Sequence, residues 1–420
     1  MSKKLFKNAR LKGSQKLTDI LVENEKFKKI SPCQDKEKSN LEQIDLKGKL
    51  VLPPYVEPHI HLDYVYSIST TDFKNKSGTL IEGIQKWSEI KHDRSVEEVK
   101  EKARIAINKE ILSGIQYVRT HVDVTEPNLT SLKAMLELRE EYKDAITMQI
   151  VAFPQEGMYS YQYGDKLVEE AIHMGADVIG AIPHYEFTKE LGELSLKKVF
   201  ELAMKYDKLI DVHCDEIDDE ESRFVESLAT LAYLNSMGER TTASHTCAMG
   251  SYNNAYANKL FRILKLSNIN FISCPTENMH LQGKGDTYPK RRGVTRVPEL
   301  LDAGLNVCFA QDSISDPWYP LGSGNLMNIL DAGIHISQLT TMEQIYNALD
   351  LITINGAKTM YIHDRYGIQE GHDANFIVLD SSDEYDAVRE RAGVICSIRK
   401  GEYLFKKSPE SYETKLQILK

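Results

Sequence analysis

The chain has 420 residues, enough to bury a large core, and its 41% hydrophobic and 27% charged content are those of a globular protein in water. Lys and Arg total 52 against 62 Asp and Glu, a formal charge of −10, which argues against nucleic acid or an anionic membrane as a partner. No apolar run nears the roughly 20 residues of a membrane helix, and the basic start "MSKKLFKNARLKG" lacks the apolar stretch of a secretory signal, so a cytoplasmic protein is expected.

In chain order, residues 15–53 contain "KLTDILVENEKFKKI", two extended runs around a polar turn. Eight short β-branched and apolar runs follow: 49–61, 115–124, 145–153, 176–183, 208–216, 240–247, 269–275 and 305–313. Between them lie helix-like segments such as "TLIEGIQKWSEI", "NLTSLKAMLELREEY", "DKLVEEAIHMG", "LSLKKVFELAMKY" and "ESRFVESLATLAYLNSMG". Several begin at Thr, Ser, Asp or Asn or end in Gly, as helix ends do. Strand and helix in alternation imply a parallel sheet, and eight repeats suggest an α/β fold closed as a (β/α)8 TIM barrel. No Gly-x-Gly-x-x-Gly follows the first run, which lowers the open doubly wound alternative. Residues 373–407 return to short strands around a Lys-Gly turn. An isolated hairpin is marginal. The expected organisation is therefore a composite β-sandwich from 1–53 and 371–420 beside a catalytic barrel at 54–370. The six Cys have no Cys-x-x-Cys spacing and read as small buried apolar residues in a reducing compartment.

Polar residues gather at the C-terminal ends of the runs. His59 and His61 sit in "EPHIH", two residues apart on one strand face. Twelve His in this length make roughly 0.3 such pairs by chance, so the motif alone is weak. His213 and Glu216 follow in "DVHCDE", His245 in "ASHT" and Asp312 in "FAQDS", with Gln155 in "AFPQEG". In a barrel these ends open on one face, where His59, His61, His213, His245 and Asp312 would have metal-site chemistry. His121, Asp123 and His184 are expected to be ordinary polar strand ends or helix caps.

The motifs "EPHIHLD", "SGTLIEGI", "VRTHVDV", "VAFPQEG", "GAIPHYEFT", "DVHCDEIDDEESRFVE", "ASHTCAM", "HLQGKGDTYPKRRGVTRV" and "DPWYPLG" resemble, in this order, the bacterial cytosine deaminases of the amidohydrolase superfamily, over about residues 50–370. The resemblance implies one divalent transition metal per chain, Fe2+ or Zn2+, held by His59, His61, His213 and Asp312. It implies Glu216 and His245 as an acid–base pair, with Asp312 sharing the proton traffic, and Gln155, Leu80, Phe153 and Trp318 around a small-molecule substrate. A homo-oligomer is expected. A bound divalent metal brings the pKa of water towards about 7, Glu216 would protonate the ring nitrogen beside the attacked carbon, and Gln155 offers one donor and one acceptor to a flat ring.

Two departures leave the ring open among cytosine, 5-methylcytosine and creatinine. Cytosine deaminases commonly read His-Asp-Asp where this chain has Gln311, Asp312 and Ser313. Glu277 stands in the loop after the seventh run, where the family tends to be apolar, and could be a solvated carboxylate or face the pocket. A dihydroorotase- or hydantoinase-like cyclic amide hydrolase is the alternative enzyme. It is disfavoured because the fourth run lacks the Lys that binuclear relatives carboxylate, the next being Lys189. A barrel that only binds a ligand would be expected to lack some metal ligands, and none is missing.

Overall fold

The computed structural model describes residues 3–33, 41–70 and 75–408. Residues 1–2, 34–40 and 409–420, parts of the expected sandwich segments, lie outside the described residues.

Eight parallel strands pair in chain order. They are β1 (Tyr55–Ile60), β2 (Ile115–Asp123), β3 (Thr147–Phe153), β4 (Val178–Ala181), β5 (Leu209–Cys214), β6 (Thr241–His245), β7 (Asn270–Ser273) and β8 (Val307–Phe309). Each lies inside one of the eight expected runs. Long helices fill most of the crossovers, among them Leu80–Ile90, Thr130–Glu141, Gly164–Met174, Lys189–Tyr206 and Asn254–Ser267. Thr79 caps the first by accepting from the Glu82 N–H, and Gly175 ends the third in the left-handed region at φ +119°. The helices bury apolar faces against the strands in one core that includes Val99, Ile107, Leu132, Val199, Leu228 and Leu260.

The barrel closes at one seam. Just past β8, Asp312 donates its backbone N–H to the His59 carbonyl (2.9 Å), and His61 donates to the Asp312 carbonyl (3.0 Å). Closure therefore brings the expected ligands of the first and last strands side by side.

The first expected run, 49–61, is two strands. Leu50–Leu52 belongs to the second sheet, and the barrel begins at Tyr55. Pro53 and Pro54 separate them, because proline has no N–H for a ladder. Leu50–Leu52 pairs parallel to Lys3–Leu11 and antiparallel to Phe376–Leu379, so both ends of the chain join one mixed eight-stranded sheet. That sheet curls over its own core. The rings of Phe27 and Phe376 lie 6.1 Å apart although three strands separate theirs, and Phe6 meets Phe376 edge-on at 4.9 Å. Cys214, Cys247, Cys274, Cys308 and Cys396 are buried free thiols. No helix among the described residues is long and apolar enough to cross a membrane.

Candidate active site

The strand ends converge on one buried cluster. His61 Nε2 and His213 Nε2 lie 3.1 Å apart, and His59 Nε2 and His61 Nε2 are each 3.5 Å from Asp312 Oδ1. Burial pushes the His61 and His213 imidazoles well below their ordinary pKa, so both are neutral with lone pairs available.

Hydrogen-bond direction fixes the tautomer of His59. Deep in the barrel, Arg119 donates from Nη1 to Asp211 Oδ2 (2.8 Å). Asp211 Oδ1 accepts the Ser244 hydroxyl proton (2.6 Å). Ser244 Oγ, 3.0 Å from His59 Nδ1, is left only to accept, so the His59 proton sits on Nδ1. Its Nε2 lone pair then faces Asp312, and that buried atom has no hydrogen-bond partner. Such outer contacts are how a protein aims a metal-binding imidazole. An orphaned imidazole nitrogen beside the His61 and His213 imidazoles and a carboxylate fits a divalent transition metal of borderline softness.

Two further groups overlap this cluster, His59 with His121 and His213, and His59 with His245, Cys274 and Asp312, each with donor atoms within 4.8 Å of one another. Burial pushes the Cys274 thiol well above its ordinary pKa, which disfavours the thiolate a metal needs. His121 was expected as a plain strand end. Its ring centroid lies 3.9 Å from that of His59, across the adjacent strands β1 and β2. His184 is half-buried, and desolvation of its ring pushes it down to about 3. Asp123 has a scaffold role: it accepts from Lys91 Nζ (3.0 Å) and Trp87 Nε1 (2.8 Å), tying the helix Leu80–Ile90 to β2.

Beside the histidines lies a small, tight cavity. Gln155, Glu216, Leu80, Trp318, Ser313 and Glu277 all line it. Phe153 stands behind, its ring stacked on His213 with centroids 4.0 Å apart. Glu216 Oε1 lies 3.5 Å from His245 Nδ1, which is 3.7 Å from Asp312 Oδ2. Burial, reinforced by Asp312, pushes the Glu216 carboxyl well above the usual range, so it can carry a proton at neutral pH. Gln155 Oε1 is buried without a partner, an acceptor open to a ligand N–H.

Glu277 is not in a loop. Pro275 opens a short helix, Pro275–Leu281, that turns Glu277 inward, 2% exposed. The Ser313 hydroxyl reaches the carboxyls of both Glu277 and Asp316. Gln311 braces the same loop, donating to the Ser313 carbonyl (3.0 Å) and accepting from the Gly324 N–H (3.2 Å).

Sequence reasoning missed Tyr64, Leu281, Asn278, Asp211 and Ser244. Tyr64 stacks on His61 (4.6 Å) and packs against Trp318 (4.6 Å). Asp211 and Ser244 carried a faint signal as polar neighbours of His213 and His245 on buried strands. The wall holding Trp318 is close-packed. A Cβ at Gly83 would lie 2.5 Å from Trp318 Cδ1 and Nε1, inside contact distance. Gly83→Ala is expected to displace Trp318 and raise KM severalfold with metal content unchanged. An unchanged KM in steady-state kinetics would place Trp318 outside the binding wall.

The chain is similar to several known proteins along nearly its whole length. A crystal structure of 5-methylcytosine deaminase from Klebsiella pneumoniae, liganded with 5-fluorocytosine, is 49% identical with a TM-score of 0.95, covering 98% of this chain and 99% of that one. The N-isopropylammelide isopropyl amidohydrolase of Pseudomonas sp. (strain ADP) is 29% identical over 408 residues, 96% of this chain and 97% of that protein. A pterin deaminase of Rhizobium rhizogenes is 24% identical over 403 residues, 94% of this chain and 89% of that protein. Residues 42–405 match the amidohydrolase family, and the chain belongs to that family.

Proposed function

We propose that this protein is a metal-dependent deaminase of cytosine-type rings, with 5-methylcytosine as its preferred substrate. The observation that carries the reading is the meeting of Glu216, Asp312 and Gln155 around one small cavity against neutral imidazoles. The likeness to the Klebsiella 5-methylcytosine deaminase supports it. In this reading the barrel occupies residues 54–370, the two ends supply the flanking sheet, and the protein is a cytoplasmic homo-oligomer.

His59, His61, His213 and Asp312 would hold one Fe2+ or Zn2+. The ion would supply the acidity that makes water a nucleophile near pH 7. The chain's own residues do the rest. Gln155 takes the carbonyl and N–H edge of the ring. Glu216 gives its proton to the ring nitrogen beside the amino-bearing carbon, so that negative charge does not build there as water attacks. Asp312 and His245 take the proton of the attacking water and return it to the amino group, which leaves as ammonia. One water is consumed, its second proton passes from the new hydroxyl back to Glu216 as the C=O forms, and the carbon exchanges nitrogen for oxygen.

With Glu216 on that nitrogen and Asp312 by the amino-bearing carbon, the next ring atom, carbon 5, borders Ser313. A serine is shorter than the usual aspartate and leaves space for a methyl group there. Misplacing one methyl discriminates by about 1–3 kcal/mol. Ser313→Asp should therefore lower kcat/KM for 5-methylcytosine relative to cytosine by roughly 10- to 100-fold. The assay is ammonia release from cytosine, 5-methylcytosine, isoguanine and creatinine by wild type, Ser313→Asp and Glu277→Val. Dominant creatinine turnover that Glu277→Val abolishes would transfer specificity to the helix after β7 and overturn the pyrimidine reading.

A further inference from the structure

We propose that Asn278 is a positioning residue for this reaction, an amide that holds Glu216 and His245 in working register; this rests on the deaminase reading above. Its Nδ2 donates to Glu216 Oε1 (3.1 Å) and lies 3.2 Å from His245 Nδ1. The two hydrogens of one amide nitrogen serve both groups at once.

The side chain does nothing else. Asn278 is fully buried, and Oδ1 has no hydrogen-bond partner. Its backbone serves its own helix, accepting from the Gln282 N–H (2.9 Å), but its side chain makes no hydrogen bond to that helix. A buried amide with one atom unsatisfied is a poor choice for packing alone, where an apolar residue of the same volume costs less. It is a sound choice when the donor is needed.

Two consequences follow for the reacting groups. The amide donates to the Glu216 oxygen that lies 3.5 Å from His245 Nδ1, so it sets which oxygen turns towards His245 and which is left for the ring nitrogen. A donor at His245 Nδ1 places the single proton of the neutral imidazole on Nε2 and holds the ring with Nδ1 3.7 Å from Asp312 Oδ2. The residue that accepts a proton from water and the residue that gives one to the ring are thus aligned by a single side chain. That side chain arrives on the same short helix as Glu277, so one element carries both the pocket wall and the alignment of the proton-transfer groups.

The test is a double-mutant cycle on the metal-loaded full chain: wild type, Asn278→Leu, Glu216→Gln and the double variant, with Asn278→Ala beside Leu in case the branched side chain does not fit. Each is assayed for metal content and for kcat and KM on the best pyrimidine. Losing a hydrogen bond to a charged or reacting group costs about 10- to 100-fold, and here that loss is expected in kcat, with KM and metal content held. In the Glu216→Gln background the further loss should be several-fold smaller, because Glu216 no longer acts and only the alignment of His245 remains to be lost. An equal loss in both backgrounds, a loss that follows KM or metal content, or a kcat within about twofold of wild type each overturns the proposal. A wild type that releases no ammonia from any pyrimidine overturns the deaminase reading itself, a result distinct from failure of the cycle.

Discussion

His213→Ala should yield a folded protein that neither retains a metal nor releases ammonia above background. The ring it removes is central to the cluster: its Nε2 is 3.1 Å from that of His61, its centroid is 4.6 Å from that of His59, and one face is covered by Phe153. The remaining donors would be two imidazoles at the end of β1 and one carboxylate at the seam, all from one side of the barrel. Three protein ligands can hold a catalytic zinc when they enclose the ion, whereas these three would leave the β5 side of the ion open. The fold should persist because β5 is held on both sides by parallel ladders from Leu209 to Cys214, which do not involve the imidazole. The measurements are metal per chain by elemental analysis, far-ultraviolet circular dichroism and ammonia release. Wild-type turnover in His213→Ala, or two metals per active wild-type chain, would remove the mononuclear reading.

The outline of the barrel was readable because each strand is a short apolar run between amphipathic helices, and because strand ends in such a barrel all open on one face. Local chemistry also announced the helix starts, as at Thr79. What could not be read were contacts made across the barrel. Ser244 looks like any polar residue on a buried strand until the fold sets it between Asp211 and His59. His121 differs from a capping residue only through the register of β2 on β1. Glu277 illustrates a misleading prior: charged residues after strands are usually solvated. Pro275 at the first helical position was the available sign that the segment turns back on itself, and the inward face of so short a helix depends on the cavity it covers. The Pro53–Pro54 break was legible in principle. It divides one apolar run between two sheets, since neither residue can donate to a ladder.

Glu216→Gln should cut turnover by about 10²–10⁴-fold, the usual cost of losing a general acid or base, while metal content stays at the wild-type level. The substitution is chosen for what it keeps. Gln has nearly the shape of Glu, and its Oε1 can still accept from Asn278 Nδ2 at the 3.1 Å position, so the pocket wall and the His245 contact should survive. What it cannot do is surrender a proton to the ring nitrogen. The buried setting makes that proton available at neutral pH, since burial and the neighbouring Asp312 both favour the protonated carboxyl. KM should change little, because an amide still offers a hydrogen to the same ring nitrogen. His245→Asn should likewise lose turnover while keeping metal, because it removes the nitrogen that relays the water proton to the departing amine. The readouts are kcat and KM for 5-methylcytosine and cytosine, with elemental analysis of each variant. Near-normal turnover in Glu216→Gln would make the carboxyl a structural partner of Asn278. The ring-nitrogen proton would then have to come from another acid at the cavity, and Glu277, buried in the same wall and pushed up in the same direction, is the group placed to supply it.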